Sequence, residues 1–199
     1  MKPYAVALVA LLPCLAASVG DVDKAKCLGN AAAPVRLELY SDFECPGCKA
    51  FHETVLPAIM KDYVIPGKAY IVNHEFPLPM HAHSREAANY ATAAAHIGKY
   101  QQVADALFKN QAAWVANGKV WDTVAAVLTP AEQKKVLELA KEQAVVGEVQ
   151  QDVTLGQMQR VNQTPTLLIS GKQGSYAFPG PDNRNYPLLK SLLDDHFLK

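Results

Sequence analysis

The residues best suited to chemistry are two cysteines three apart, in Cys45-Pro46-Gly47-Cys48. A dithiol that cycles needs one exposed nucleophile and one resolving thiol in reach. Two intervening residues on the first turn of a helix supply that geometry. Just before the motif, Val35, Leu37 and Leu39 alternate with Arg36, Glu38 and Tyr40, the period-two pattern of a strand. After it, Phe51, Val55, Ile59 and Tyr63 recur at helical spacing, which predicts a helix over 46–64, kinked at Pro57 and ended by Pro66-Gly67. Cys45 then sits at a helix start, where free N–H groups and the helix dipole favour negative charge. The thiolate is the attacking species, so Cys45 is expected to attack and Cys48, one turn in, to resolve the mixed disulfide. Pro46 lacks an N–H at little cost in a first turn. A zinc half-site and an inert structural disulfide are the other chemistries open to the pair. Tetrahedral zinc asks for four ligands, yet there is no second CxxC, and His81 and His83 lie past the second strand.

The elements that must position this motif follow in order. Ala69 to Phe76 reads as a second strand, and the next eighty or so residues read as wholly helical. Ser84 is expected to cap an Ala-rich helix that stops at Gly98. Thr129-Pro130-Ala131-Glu132 carries cap, N1 proline and capping-box glutamate in register. Val145, Val149 and Val153 continue a helix face toward Val161. Strand character returns at Thr166 to Ser170, with glycine turns leading into Tyr176 to Phe178. Leu188, Leu189, Leu192, Leu193 and Phe197 build a last amphipathic helix. With the helical block set aside, the order strand, helix, strand, strand, strand, helix is a compact α/β unit with helices on both sheet faces. His52 is expected at an exposed helix position, His74, His81 and His83 are read as structural or exposed, and Trp114 and Trp121 as packing the helical block.

Lys plus Arg and Asp plus Glu balance at 19 each among 199 residues, with no basic run, so nothing points to nucleic acid. Lys2, the apolar run Ala5 to Ala17 and small residues around 16–20 read as a secretory signal over 1–20, too short for a membrane span. No other long apolar run follows, so no membrane span is expected after cleavage. Cleavage removes Cys14 and leaves Cys27, Cys45 and Cys48. Cys27 is then the odd thiol, read as incidental, in an irregular leader over 21–34.

Tyr40-Ser41-Asp42-Phe43-Glu44-Cys45-Pro46-Gly47-Cys48, followed by Phe51 and Leu56-Pro57, resembles the DsbA-like branch of the thioredoxin superfamily. Glu75-Phe76-Pro77-Leu78 with His81 resembles the stretch entering that family's helical insertion. Val161-Asn162-Gln163-Thr164-Pro165-Thr166 resembles its cis-proline loop. The resemblance spans residues 35–198. It implies a thioredoxin fold with an inserted all-helical domain: 21–77 and 161–199 for the thioredoxin-like part, 78–160 for the insertion. It implies that Pro165 is cis and faces the motif, and that the Thr164 backbone pairs with extended substrate by strand addition. The Thr164 hydroxyl could also reach the Cys45 sulfur. Glu38, on the strand below the motif, is the candidate buried carboxylate that takes the proton when Cys48 attacks; a solvated strand glutamate is the alternative.

The resemblance implies exchange of disulfides with cysteine-containing exported proteins, in the periplasm or another extracytoplasmic space; a monomer is expected, with no cofactor and no metal. A separate, unidentified redox partner would reset the centre. An oxidase is the expected direction; a reductase of the same compartment and a non-enzymatic metal-binding module are the alternatives. Strongly oxidising members carry histidine where Gly47 stands, so a less stabilised Cys45 thiolate and a less oxidising disulfide are expected here.

Overall fold

The structure, a computed structural model, describes residues 26–180 and 185–199. The predicted signal segment 1–20 lies outside the described residues. Among the described residues, five strands, β1 (Cys27–Leu28), β2 (Val35–Ser41), β3 (Ala69–Glu75), β4 (Thr166–Gly171) and β5 (Gly174–Pro179), form one sheet in the order β1-β3-β2-β4-β5. The central pair β2 and β3 is parallel, and β1, β4 and β5 join antiparallel.

Alternation along β2 decides which faces are covered. Val35, Leu37 and Leu39 pack with Ile71, Leu167 and Ile169 against Phe51, Val55 and Ile59 of helix α1 and Leu189 and Leu193 of helix α8. Each such buried aliphatic or aromatic side chain contributes about 1.5–3 kcal/mol. Helix α1 runs over 46–64 as α-helix at Pro46–Ala50 and Leu56–Ile59, with π-helical turns at Phe51–Val55 and Met60–Val64. Pro57 thus sits between two wider turns, where the hydrogen-bond ladder shifts register around the bond it cannot donate. Helix α8 is Tyr186–Leu192, continued by a π-helical turn at Leu193–Phe197.

Between β3 and β4 lie six helices: α2 (Ser84–Ala95), α3 (Tyr100–Lys109), α4 (Gln111–Asn117), α5 (Val120–Ala125), α6 (Pro130–Leu139) and α7 (Gln143–Met158). The alanines of α2 pack with Val103, Leu107, Trp114, Val124 and Val136 in a second core. Trp114 donates from its indole to the Leu107 carbonyl. Helix α6 starts with the full capping box, Thr129 and Glu132 each bonding the other's backbone N–H. Helix α7 returns to cover the other sheet face, where Val153 packs with Tyr40, Phe76 and Val161. A Cβ at Gly156 would lie 2.7 Å from Phe76 Cε2 and 3.0 Å from Tyr40 Cδ1, so glycine there permits the close approach.

Two expectations change. The leader is not irregular throughout: Cys27 and Leu28 pair with Val72 and Ile71 as an edge strand. Buried Lys26 anchors it, its ammonium 2.8 Å from Asp152 Oδ2 of α7. Ser84 does not cap α2 but is its first residue, and its hydroxyl is engaged by the Asp42 carboxylate.

Candidate active site

Strand β2 ends at Ser41, and a short loop carries the chain into α1 with Cys45 in extended backbone at its N-cap (φ −72°, ψ 122°). Both Cys45 and Cys48 are thiols in this structure. They lie where the second core, between the inserted helices, meets the sheet. Cys45 retains 9% exposure and Cys48 1%, while Pro46 and Gly47 between them are exposed. The buried sulfur is therefore reached only across the outer one.

The two thiols have opposite electrostatics. Cys45 is pulled down to about 5, first by a hydrogen bond from the Cys48 thiol, then by Thr164 and the backbone N–H groups of Cys48 and Gly47, against the effect of burial. Cys48 is pushed well above the usual thiol value, first by burial and then by its proximity to Cys45. The Cys45 thiol donates to the Thr164 carbonyl at 3.4 Å. The Thr164 hydroxyl is buried and without a partner among the described residues in the dithiol state, placed to donate to the sulfur once it ionises. The Thr164–Pro165 bond is cis. A Cβ on Gly47 would lie 3.3 Å from Pro165 Cδ and 3.6 Å from Cys45 Sγ. Pro46, Gly47, Thr164 and Pro165 thus gather around one sulfur. The motif carries no histidine to stabilise the Cys45 thiolate, and the donors that lower it here are the Cys48 thiol, backbone N–H groups and Thr164.

Glu38 is not among them. Its neighbours Leu37 and Leu39 face α1, so Glu38 points to the opposite face of the sheet from Cys48. There its carboxylate accepts from Arg36 at 3.1 Å and His74 at 3.2 Å. Burial opposes ionisation, but His74 and Arg36 hold Glu38 below the usual carboxylate range. A carboxylate so engaged is a poor proton acceptor for Cys48. His74 is buried, also bonds Asp152 at 2.8 Å, and rises to about 9 because these acids outweigh its desolvation.

The acid on the Cys48 side is Glu75. It pairs in register with Ser41, whose side chain hydrogen-bonds Cys48. Glu75 is 1% exposed, and the Tyr100 hydroxyl donates to its Oε1 at 2.8 Å. Burial lifts it to about 7, although Lys26 opposes the shift. Tyr100, Ser41, Asn73 and Cys48 line one cavity of about 10 Å³, room for about one water.

Asp42 and Gln111 were missed as well, and they hold the loop. Asp42 donates its N–H to Cys48 Sγ at 3.4 Å. Its buried carboxylate accepts from the Glu44 and Leu78 backbones, from Ser84 and from His81 Nδ1. Gln111 of α4 donates to the carbonyls of Phe43 at 2.7 Å and Cys45 at 3.0 Å. His52 is not exposed as expected: its ring packs at a tilt of 31° on Phe108 and bonds Asp105 at 2.8 Å. Among the described residues, no group of three or more His, Cys, Asp or Glu is arranged to hold a metal ion.

A family model described as thioredoxin matches residues 22–195. The disulfide bond formation protein D of Bacillus subtilis (strain 168) is 27% identical over 156 residues, which are 73% of this chain and 67% of that protein. Among solved structures, oxidised BdbD from Bacillus subtilis aligns with a TM-score of 0.70 at 23% identity, covering 86% of this chain and 92% of that one. Alpha-DsbA1 of Wolbachia pipientis aligns with a TM-score of 0.68 at 17% identity, covering 86% and 89%.

Proposed function

The chain belongs to the thioredoxin family, and from that premise we propose that it is an exported thiol–disulfide oxidoreductase that oxidises cysteines of secreted or periplasmic proteins through a Cys45–Cys48 disulfide. The observation that carries the reading is the asymmetry of the two thiols: Cys45 caps α1 with its sulfur at the cis Thr164–Pro165 loop, and Cys48 is buried one turn on. The similarity to disulfide bond formation protein D supports the same chemistry and direction.

A substrate thiolate attacks Cys45 Sγ, forming the mixed disulfide and breaking the Cys45–Cys48 bond. Cys48 leaves and takes a proton, because its buried thiolate is disfavoured. Glu75, raised to about 7 by burial, supplies that proton by way of the Tyr100 hydroxyl and the water-sized cavity that Tyr100 shares with Cys48, and takes a proton back when Cys48 attacks in reoxidation. The second substrate cysteine then attacks the substrate sulfur of the mixed disulfide, forming the substrate disulfide. Cys45 departs as a stabilised thiolate, a good leaving group. Both substrate electrons now reside in the Cys45–Cys48 dithiol, which a separate redox partner must reoxidise.

The Thr164 backbone, whose carbonyl already reaches the sulfur, is the edge on which an extended substrate segment pairs. Residues 21–77 and 161–199 carry the exchange site, and the insertion 78–160 braces it through Gln111 and Tyr100. Export rests on the apolar N-terminal segment, and the chain works as a monomer. Replacing Cys48 with Ser should trap mixed disulfides with a reduced exported protein, visible as thiol-labile adducts, while Cys45→Ser forms none. Adducts from Cys45→Ser alone would reverse the roles, and none from either would remove the exchange function. A glutathione equilibrium fixes the direction: a couple more reducing than the glutathione pool would make the chain a reductase.

A further inference from the structure

Ionising Cys45 places a third negative charge within four residues, beside Asp42 and Glu44. The Asp42 side chain is fully buried, and its backbone borders the motif on two sides: its N–H donates to Cys48 Sγ, and its carbonyl accepts from the Cys45 N–H at 3.1 Å. Glu44 is tied by its Oε2 to the His83 backbone at 2.7 Å. The carboxylate of Asp42 holds four donors, of which only the His81 ring can carry charge, at 2.8 Å. His81 comes from the loop between β3 and α2, remains partly open to solvent, and so can exchange protons.

We infer that His81 is a positioning residue for the exchange: its imidazolium, locked on Asp42, is the counter-charge to the Cys45 thiolate and makes the Cys45–Cys48 couple respond to pH. Burial works against the charged ring, but Asp42, Glu44 and Cys45 together hold its pKa above the ordinary histidine value. Coupling between two titrating sites is reciprocal, so a ring that feels the sulfur must also act on it. Two electrons from substrate thiols and one proton convert the disulfide into a Cys45 thiolate and a Cys48 thiol. The negative charge left on Cys45 draws a further fraction of a proton onto His81, and oxidation releases it. The cation absent from the Pro-Gly dipeptide thus arrives from another segment of the chain.

The inference rests on the exchange function proposed above. Oxidation of a reduced test protein by the unmodified chain tests that function by itself, and a chain that exchanges while failing the tests below overturns the His81 role alone. The ring of His81 is titrated by NMR in the dithiol and disulfide forms, and its midpoint should lie higher in the dithiol. His81→Asn keeps an N–H for Asp42 without the charge, and His81→Lys keeps the charge. Asn should raise the thiolate midpoint in ultraviolet absorbance and shift the glutathione equilibrium toward the disulfide by roughly threefold to tenfold near neutral pH, the size of one partly screened charge. The shift should vanish at pH values where the native ring is neutral, and Lys should restore the native midpoint. Equal His81 midpoints in both redox states, an unmoved thiolate with Asn, or Asn and Lys behaving alike would each overturn the inference. Should the variants fold poorly, the two NMR titrations of the native chain decide it.

Discussion

Replacing Glu75 with Gln separates its two proposed properties, an elevated proton affinity and a part in proton transfer. Gln keeps an oxygen for the Tyr100 hydroxyl and removes the ionisation. The carboxyl moves from 4.5 to about 7, chiefly through burial. One unit is 1.36 kcal/mol, so the shift corresponds to roughly 3 kcal/mol of linkage. The sign follows from which state binds the proton. The folded chain holds it more tightly than the unfolded chain, so this contribution to stability is fully present below pH 4.5 and is lost as pH rises toward about 7. The variant lacks the loss. Its stability relative to the native chain should therefore climb by about 3 kcal/mol between pH 4 and 8 and level off above. Lys26, His74 and Asp152 titrate in both proteins and cancel to first order, since Lys26 keeps its 2.8 Å bond to Asp152. Urea unfolding of both dithiol forms at unit pH steps measures the difference. A flat or falling difference would mean that Glu75 is ionised at an ordinary value against Lys26, and the proton-transfer role would go with it. If the slope is present, resolution of a preformed mixed disulfide by Cys48 should also slow by roughly tenfold to a hundredfold at neutral pH.

Gly47→His should lower the Cys45 thiolate midpoint and make the couple more oxidising, because the new side chain starts 3.6 Å from the sulfur; ultraviolet titration that shows no change would mean backbone donors and Thr164 saturate the site. Gln111→Ala should cost about 1–3 kcal/mol in denaturant unfolding, since it strands two buried carbonyls of the motif loop. Gly156→Ala should cost a similar 1–3 kcal/mol by overpacking against Phe76 and leave the thiolate titration unmoved. Cys27→Ser should keep the native rate of oxidising a reduced test protein, and a large loss would give the edge strand a redox part.

The placement of the motif was legible because its signals are local. Strand alternation before Cys45 and helical spacing after it need no partner to be read. Which carboxylate lies under Cys48 was not legible on the same terms. Glu38 is nearer in sequence, on the strand that runs into the motif. The same period-two rule, applied to Ala69, Ile71, Asn73 and Glu75, sets Glu75 on the inward face with Ile71. Only the parallel register of β2 and β3, which joins residues 34 apart, brings it opposite Ser41. Edge strand β1 was hidden for a related reason. Two residues carry no period, and what fixes them is Lys26 reaching Asp152, 126 positions away. Asp42 stood in plain view beside the motif, yet three of its four donors, Leu78, His81 and Ser84, come from a loop and a helix start that no spacing rule assigns to it.

The asymmetry of the two cysteines follows from where the chain changes direction. Strand β2 must end at the sheet edge of the core for α1 to fold back across Leu37 and Leu39. The residue that caps that helix then faces the N–H groups of its first turn, and the residue one turn on is driven into the core. Any sulfur at the first place is stabilised as an anion, and any at the second is not. The inserted helices sharpen this split without creating it. They close over Cys48 through Tyr100 and Phe108 and tie the loop through Gln111, while Cys45 keeps the side toward Thr164. Cutting the Gln111 tie should therefore loosen the loop far more than it moves the ionisation of Cys45. If Gln111→Ala instead raised the Cys45 thiolate midpoint as much as loss of the Thr164 hydroxyl does, the insertion would be setting the charge and the helix start would not.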